Sequence, residues 1–172
     1  MFIMRTNKAE VVIRKYKEGD LDPVIELYRE IFAEEPWNEK WSYEAAKSEI
    51  KDFLKQENIV FLIAQCDNEI IGFRIAFDMK PENFPFLKGL VKDKEAMYGK
   101  ELAVKKDYRN LGIGTNMVLQ SFEIARELGY KKFLGRTYLK SKMVPVYSRL
   151  GYINTGITDP NYPDRVYFIR YI

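Results

Sequence analysis

Histidine is absent from this chain of 172 residues. Its absence removes the commonest general base near neutral pH and the commonest metal ligand together. Chemistry here must run on carboxylates, tyrosine, lysine, hydroxyls, Cys66, water or backbone groups, and no metal site is expected. Cysteine occurs once, so no internal disulfide can form, which suits a reducing, cytoplasmic setting. No apolar run approaches the ~20 residues that cross a bilayer, so no membrane partner is expected. The residues before Arg5 are too few to form the apolar centre of a secretory signal. Charge of one sign is also lacking. The 28 basic and 25 acidic residues are mixed along the chain and leave a net +3, too mild and dispersed to mark a nucleic-acid surface.

What is present is apolar and aromatic. Residues of apolar type make up 47% and aromatic ones 15%, enough for a packed core. The length suits one domain over 1–172, and there is no linker, repeat or low-complexity tract. A β-branched run at 11–16 predicts a first strand. Asp22-Pro23 predicts a helix start, with Asp22 as N-cap, followed by Val24, Leu27, Tyr28 and Ile31 at helical spacing. Residues 34–41 interrupt that period. Ser42 caps a second helix whose buried stripe is Ala46, Ile50, Phe53 and Leu54. Strands follow at 59–66 and 70–77, turned at Asp67-Asn68. Residues 80–97, with Pro81, Pro85, Gly89, Phe84 and Phe86, read as a long loop with room for a short helix. Then come a strand at 98–104, a helix at 113–128 stopped by Gly129, and a strand at 132–138. A short helix ends at Leu150-Gly151, and strands lie near 152–155 and 165–171. The order is β-α-α-β-β-β-α-β-α-β-β, a mixed α/β sheet.

The stretch 101–115 carries the chemistry. A strand, Glu101-Leu102-Ala103-Val104, runs through Lys105 and Lys106 to Arg109-Asn110-Leu111-Gly112-Ile113-Gly114-Thr115, where a helix begins at once. The exposed N–H groups and partial positive charge of a helix start attract a phosphate. Glycine lets the backbone approach it closely. The plainer reading of two glycines two apart is a tight turn with good strand–helix packing. A dinucleotide fingerprint would need a third glycine, and a triphosphate loop would end in Gly-Lys-Ser/Thr; neither occurs.

The segment 109–114 resembles the Arg/Gln-x-x-Gly-x-Gly/Ala pyrophosphate loop of the GNAT superfamily of N-acetyltransferases. Residues 101–104 look like that family's fourth strand, and Tyr147-Ser148-Arg149-Leu150-Gly151-Tyr152 resembles its second signature. The element order is similar over nearly the whole chain. The resemblance implies a GNAT fold with acetyl-CoA as co-substrate, attacked directly by the acceptor in a ternary complex. Backbone groups of Leu102, Ala103 and Val104 would pair with the pantetheine arm, and amides from Arg109 to Thr115 would hold the pyrophosphate. Lys105 and Lys106 are candidates for the ribose phosphate, with plain solvated surface as the alternative. Where the family often has Asn contacting the cofactor, this chain has Lys140, which the resemblance implies as a cofactor contact. Pro145 falls in the expected short helix and is tolerable only in its first turn.

Family analogy makes Tyr147 the general acid at the leaving sulfur. A phenol with pKa of about 10 is protonated at neutral pH and can donate. The alternative is a core-filling ring. Glu101 is the candidate base, directly or through water, against the alternative of an ion pair with Lys100 or Lys105. A backbone N–H of Ala103 or Val104 would polarise the thioester oxygen. In the family the two first helices border the acceptor groove, so Glu35, Trp37 and Trp41 are expected to meet a cationic amine of a small molecule or peptide. Phe84 is expected on the opposite wall. Many members pair through C-terminal strands, so a homodimer is one expectation. A non-catalytic acyl-CoA sensor and an unrelated nucleotide-binding fold remain as alternatives.

Overall fold

A computed structural model describes residues 1–6, 10–87 and 89–172. In chain order it contains β1 (Phe2–Arg5), β2 (Glu10–Lys15), α1 (Leu21–Phe32), α2 (Tyr43–Leu54), β3 (Val60–Cys66), β4 (Glu69–Asp78) and β5 (Ala96–Val104). Then follow α3 (Ile113–Glu127), β6 (Lys132–Tyr138), α4 (Met143–Arg149), β7 (Ile153–Thr158) and β8 (Arg165–Tyr171). The strands form a mixed sheet in the order β1-β2-β3-β4-β5-β6-β8-β7. β5 and β6 are parallel, with Tyr98 opposite Leu134, whereas β2/β3 and β6/β8 are antiparallel. A parallel pair needs a long crossover, and α3 lies in that connection.

The expected order of elements is corrected at its start. An additional strand, β1, pairs antiparallel with β2, Phe2 opposite Ile13. Phe2 and Ile3 are exposed, so main-chain pairing rather than a buried face holds this edge, and no apolar alternation announced it.

The chain forms two compact units, Met1–Ile75 with Glu101–Ser121 and Ala76–Lys100 with Phe122–Ile172. The first unit buries Ile13, Ile25, Ile50, Leu62, Phe73 and Met117. α1 begins two residues earlier than Pro23, because a 3-10 turn at Glu18–Asp20 feeds straight into it. Asp20, not Asp22, is therefore its N-cap residue. The Asp20 carboxylate accepts both Arg14 nitrogens, at 2.7 and 2.8 Å, and the Lys17 N–H. Pro23 stays in the first turn, where a missing N–H costs nothing. Ser42 caps α2 as expected, its Oγ accepting the Ala45 N–H at 3.1 Å. Ala46, Ile50 and Phe53 are buried and Leu54 half-buried.

In the second unit, residues 80–95 hold two short 3-10 helices, Pro81–Asn83 and Pro85–Leu87, within the expected loop. Lys88 lies outside the described residues. Leu87 and Val91 are buried with Met79, Tyr98, Leu134 and Tyr167, so this segment covers part of the core. β5 begins at Ala96 rather than Tyr98, and β7 at Ile153 because the Tyr152 ring packs on Phe122 and Tyr147. α3 stops at Glu127, leaving Leu128 exposed instead of on the buried stripe. Pro145 is the third residue of α4, inside the first turn.

Asp159 fixes the turn between β7 and β8. Its carboxylate accepts Arg136 at 2.5 Å, Tyr167 Oη at 2.8 Å and the Asn161 N–H at 2.9 Å. Burial alone would raise its pKa, but these donors outweigh burial and hold it below the ordinary value. A depressed carboxylate stabilises the fold above the ordinary carboxylate range and loses that contribution as pH falls through its folded value. We expect Asp159→Asn to cost about 1.5–3 kcal/mol at pH 7 and to flatten the decline in thermal midpoint between about pH 5 and 3. Asp20, depressed in the same way, carries a share of what acid sensitivity remains. An unchanged midpoint and unchanged acid profile would contradict this role.

Candidate active site

The site in the first unit is built where β5 ends. After Val104 the chain makes a 3-10 turn at Lys106–Tyr108, passes Arg109 and Asn110, and reaches Gly112 at φ +79°. That left-handed conformation strains most L-residues. The Gly112 carbonyl accepts the Asn116 N–H and Asn116 Nδ2, both at 2.9 Å, closing the first turn of α3. The first-turn amides, Ile113 to Thr115, cannot find acceptors within the helix and project from its positive end. A Cβ on Gly114 would meet Leu102 at 3.6 Å and Val104 at 3.7 Å, so helix and strand pack closely. Ala103 and Ile113 are buried, while Leu102 and Val104 are half-buried and Leu111 is partly covered.

The basic residues at this turn are already engaged. Arg109 Nε donates to the Val104 carbonyl at 2.8 Å and Nη1 pairs with Glu34 at 2.7 Å. Lys105 pairs with Glu69 at 2.5 Å and Glu30 at 3.6 Å, and the Glu69 contact foremost raises its pKa. Lys105 is thus held by carboxylates, while Lys106 is exposed. Glu101 is half-buried on β5, and the buried Arg74 donates to its carbonyl at 3.3 Å.

Near the start of α2, Glu35 is exposed and Trp37 is half-buried, 5.9 Å from Phe32. Trp41 sits edge-on to Tyr28 at 5.3 Å and donates its Nε1–H to Glu39 at 2.7 Å. Tyr28 is a residue the sequence reading left in the core. Burial first, then the carboxylates of Glu101, Glu49 and Glu39, raise its pKa, so its phenol stays protonated. Its helical spacing gave no sign of that acidic company.

Tyr147, Lys140 and Phe84 belong to the second unit. Tyr147 is 7% exposed and packs on Tyr152 at 4.5 Å and Phe168 at 5.2 Å. Its ring crosses Gly135 on β6: a Cβ there would lie 2.8 Å from Cζ and closer still to the hydroxyl. Gly135 is what lets the phenol pass. Lys140 is exposed just beyond β6. Phe84 packs on Tyr98 at 5.2 Å, Phe86 at 6.1 Å and Tyr167 at 6.2 Å and is partly covered.

This geometry, a strand, a positive-φ glycine and a helix start, can be set against known proteins. The family model described as Acetyltransferase (GNAT) family matches residues 21–152. The chain belongs to the GNAT acetyltransferase family. A curated relative of this GNAT chain is an N-alpha-acetyltransferase of Sulfurisphaera tokodaii, 26% identical over 160 residues, covering 90% of this chain and 87% of the relative. The fold is similar to PaiA N-acetyltransferase from Thermoplasma acidophilum, solved in complex with coenzyme A. Their TM-score is 0.70 at 20% identity, over 94% of this chain and 99% of that one. Ard1 from Thermoplasma volcanium gives a TM-score of 0.71 at 14% identity, over 94% and 97%. Among the described residues no group of three or more Cys, Asp or Glu could hold a metal ion, and no helix is long and apolar enough to cross a membrane.

Proposed function

We propose that this GNAT acetyltransferase moves the acetyl group of acetyl-CoA to a primary amine of a peptide or small molecule, by direct attack in a ternary complex, with 1–172 acting as one domain. The observation that carries the reading is the turn at Gly112, whose positive φ presents the first amides of α3 to an anion without a side chain in the way. A diphosphate suits that cradle, with Arg109 to Thr115 as its holders and Leu102, Ala103 and Val104 as main-chain partners for the pantetheine arm; Lys140 is carried over from the family resemblance alone as a further contact to the coenzyme. Acetyl-CoA supplies an acetyl group already activated as a thioester. The amine needs its proton removed, which falls to Glu101, and the departing sulfur needs one, which falls to the Tyr147 hydroxyl. A backbone N–H of Ala103 or Val104 polarises the carbonyl oxygen.

On the acceptor side, Glu35, Trp37 and Trp41 offer acid and aromatic faces to a cationic amine, and Phe84 contributes apolar surface. The relative's N-alpha specificity supports the α-amino group of a polypeptide as the first acceptor to try. Thiol release and product mass spectrometry with free-N-terminus peptides, polyamines, aminoglycosides and amino acids test the reading. Acetylated amine is the expected product; acetyl-CoA binding with no product across the panel would favour a sensor. Replacing Trp37 by Ala and Glu35 by Gln removes roughly 0.5–2 kcal/mol of amine recognition, a few-fold to thirtyfold rise in the acceptor's KM. The KM for acetyl-CoA should hold, and the reverse pattern would discredit the assignment.

A further inference from the structure

Two carboxylates four residues apart face two cations four residues apart in the first unit. Glu30 reaches Lys105 at 3.6 Å and Glu34 reaches Arg109 at 2.7 Å. The acids come from the last turn of α1 and the segment after it, which also carries Glu35 and Trp37 of the proposed acceptor side. The cations come from the turn it assigns to the diphosphate. We infer that Glu34 couples the two substrates: it competes with the diphosphate for Arg109, so that filling the turn loosens residues 33–41. This rests on the acetyl-CoA reading above.

The means of transmission are local. The Glu34 carbonyl accepts the Trp37 and Asn38 N–H groups, both at 3.0 Å, and Glu39 N–H returns to the Phe32 carbonyl at 2.8 Å. The residue whose side chain grips Arg109 is therefore also the hinge post of the turn that carries Trp37. Arg109 Nε, held by the Val104 carbonyl, tethers the guanidinium to the end of β5. A diphosphate brings more negative charge to this cation than one carboxylate does, and it repels Glu34. The ion pair is partly exposed on both sides, 38% and 29%, hence weak enough to yield. Coupling of this kind is reciprocal: whatever loosens the segment must also ease diphosphate binding.

Glu34→Gln separates these effects without changing side-chain size. By isothermal titration its Kd for acetyl-CoA should fall roughly two- to fivefold relative to the parent, the range that an exposed ion pair provides. Adding Arg109→Gln should erase the gain. Amide hydrogen exchange at Trp37, Asn38 and Glu39 should speed up in the parent on saturation with acetyl-CoA. In Glu34→Gln it should be fast from the outset and indifferent to ligand. Equal or weaker binding by Glu34→Gln, or exchange in the parent that slows or stays level, would overturn the coupling while leaving acetyl-CoA binding itself intact. A parent that fails to bind acetyl-CoA at all would instead overturn the functional reading, and the coupling with it.

Discussion

Replacing Gly112 with Asp should abolish acetyl-CoA binding. Two costs arise at this position, one in the stability of the fold and one in the affinity for the ligand. The backbone sits at φ +79°, where a residue other than glycine pays about 1–2 kcal/mol, although Asp and Asn tolerate the region better than most. The added carboxylate then stands where the diphosphate is held. Two unit charges 4 Å apart repel by about 4 kcal/mol at the effective dielectric of a protein surface, equivalent to a loss on the order of a thousandfold in affinity. A Cβ at Gly112 meets only Asn116 Nδ2 at 3.7 Å, so the variant should still fold, with the backbone strain lowering its thermal midpoint by roughly 2–8 °C. Gly112→Asn is the matched control: it carries the same shape without the charge and should lose about tenfold or less. If titration gives Gly112→Asp and parent the same Kd, the turn does not hold the diphosphate.

Turnover should collapse in Tyr147→Phe while the coenzyme still binds. The substitution removes one oxygen and keeps the ring that packs on Tyr152 and Phe168, so the packing of α4 is preserved. A missing general acid typically costs roughly 10²–10⁴-fold in rate, whereas the Kd for acetyl-CoA should stay within about twofold. The packing alternative makes the opposite forecast, unchanged kcat with normal stability. The phenol passes over a bare Cα at Gly135, a close approach that both roles share, so the split between kcat and Kd decides between them.

How far the sequence carries one toward this site depends on whether the deciding interactions are local. Ser42 capping α2 and the hairpin at Asp67-Asn68, with Asp67 at φ 52°, rest on neighbours within a few residues, so a capping residue and a turn pair reveal them. The glycine turn at 112 is legible for the same reason. β1 was invisible because exposed pairing leaves no apolar period. α1 started early because Asp20 serves Arg14 and the Lys17 N–H, a commitment that no capping rule on Asp22 anticipates. The engagement of the cations was hidden most completely. Arg109 and Glu34 lie 75 positions apart, and Lys105 and Glu69 lie 36 apart. Only the fold brings them together, so Lys105 read as solvated or phosphate-binding when it is held by carboxylates. The ring contacts of Phe84 with Tyr98 and Tyr167 are hidden in the same way, because they join residues 14 and 83 positions apart.

The proposed function requires main-chain donors at the start of α3 to grip a diphosphate. Backbone amide resonances followed during titration with coenzyme A test it most directly. The largest shifts should fall at Gly112 to Thr115 and saturate with the Kd found by calorimetry. Shifts confined to other parts of the chain, with those amides unmoved at saturation, would contradict it.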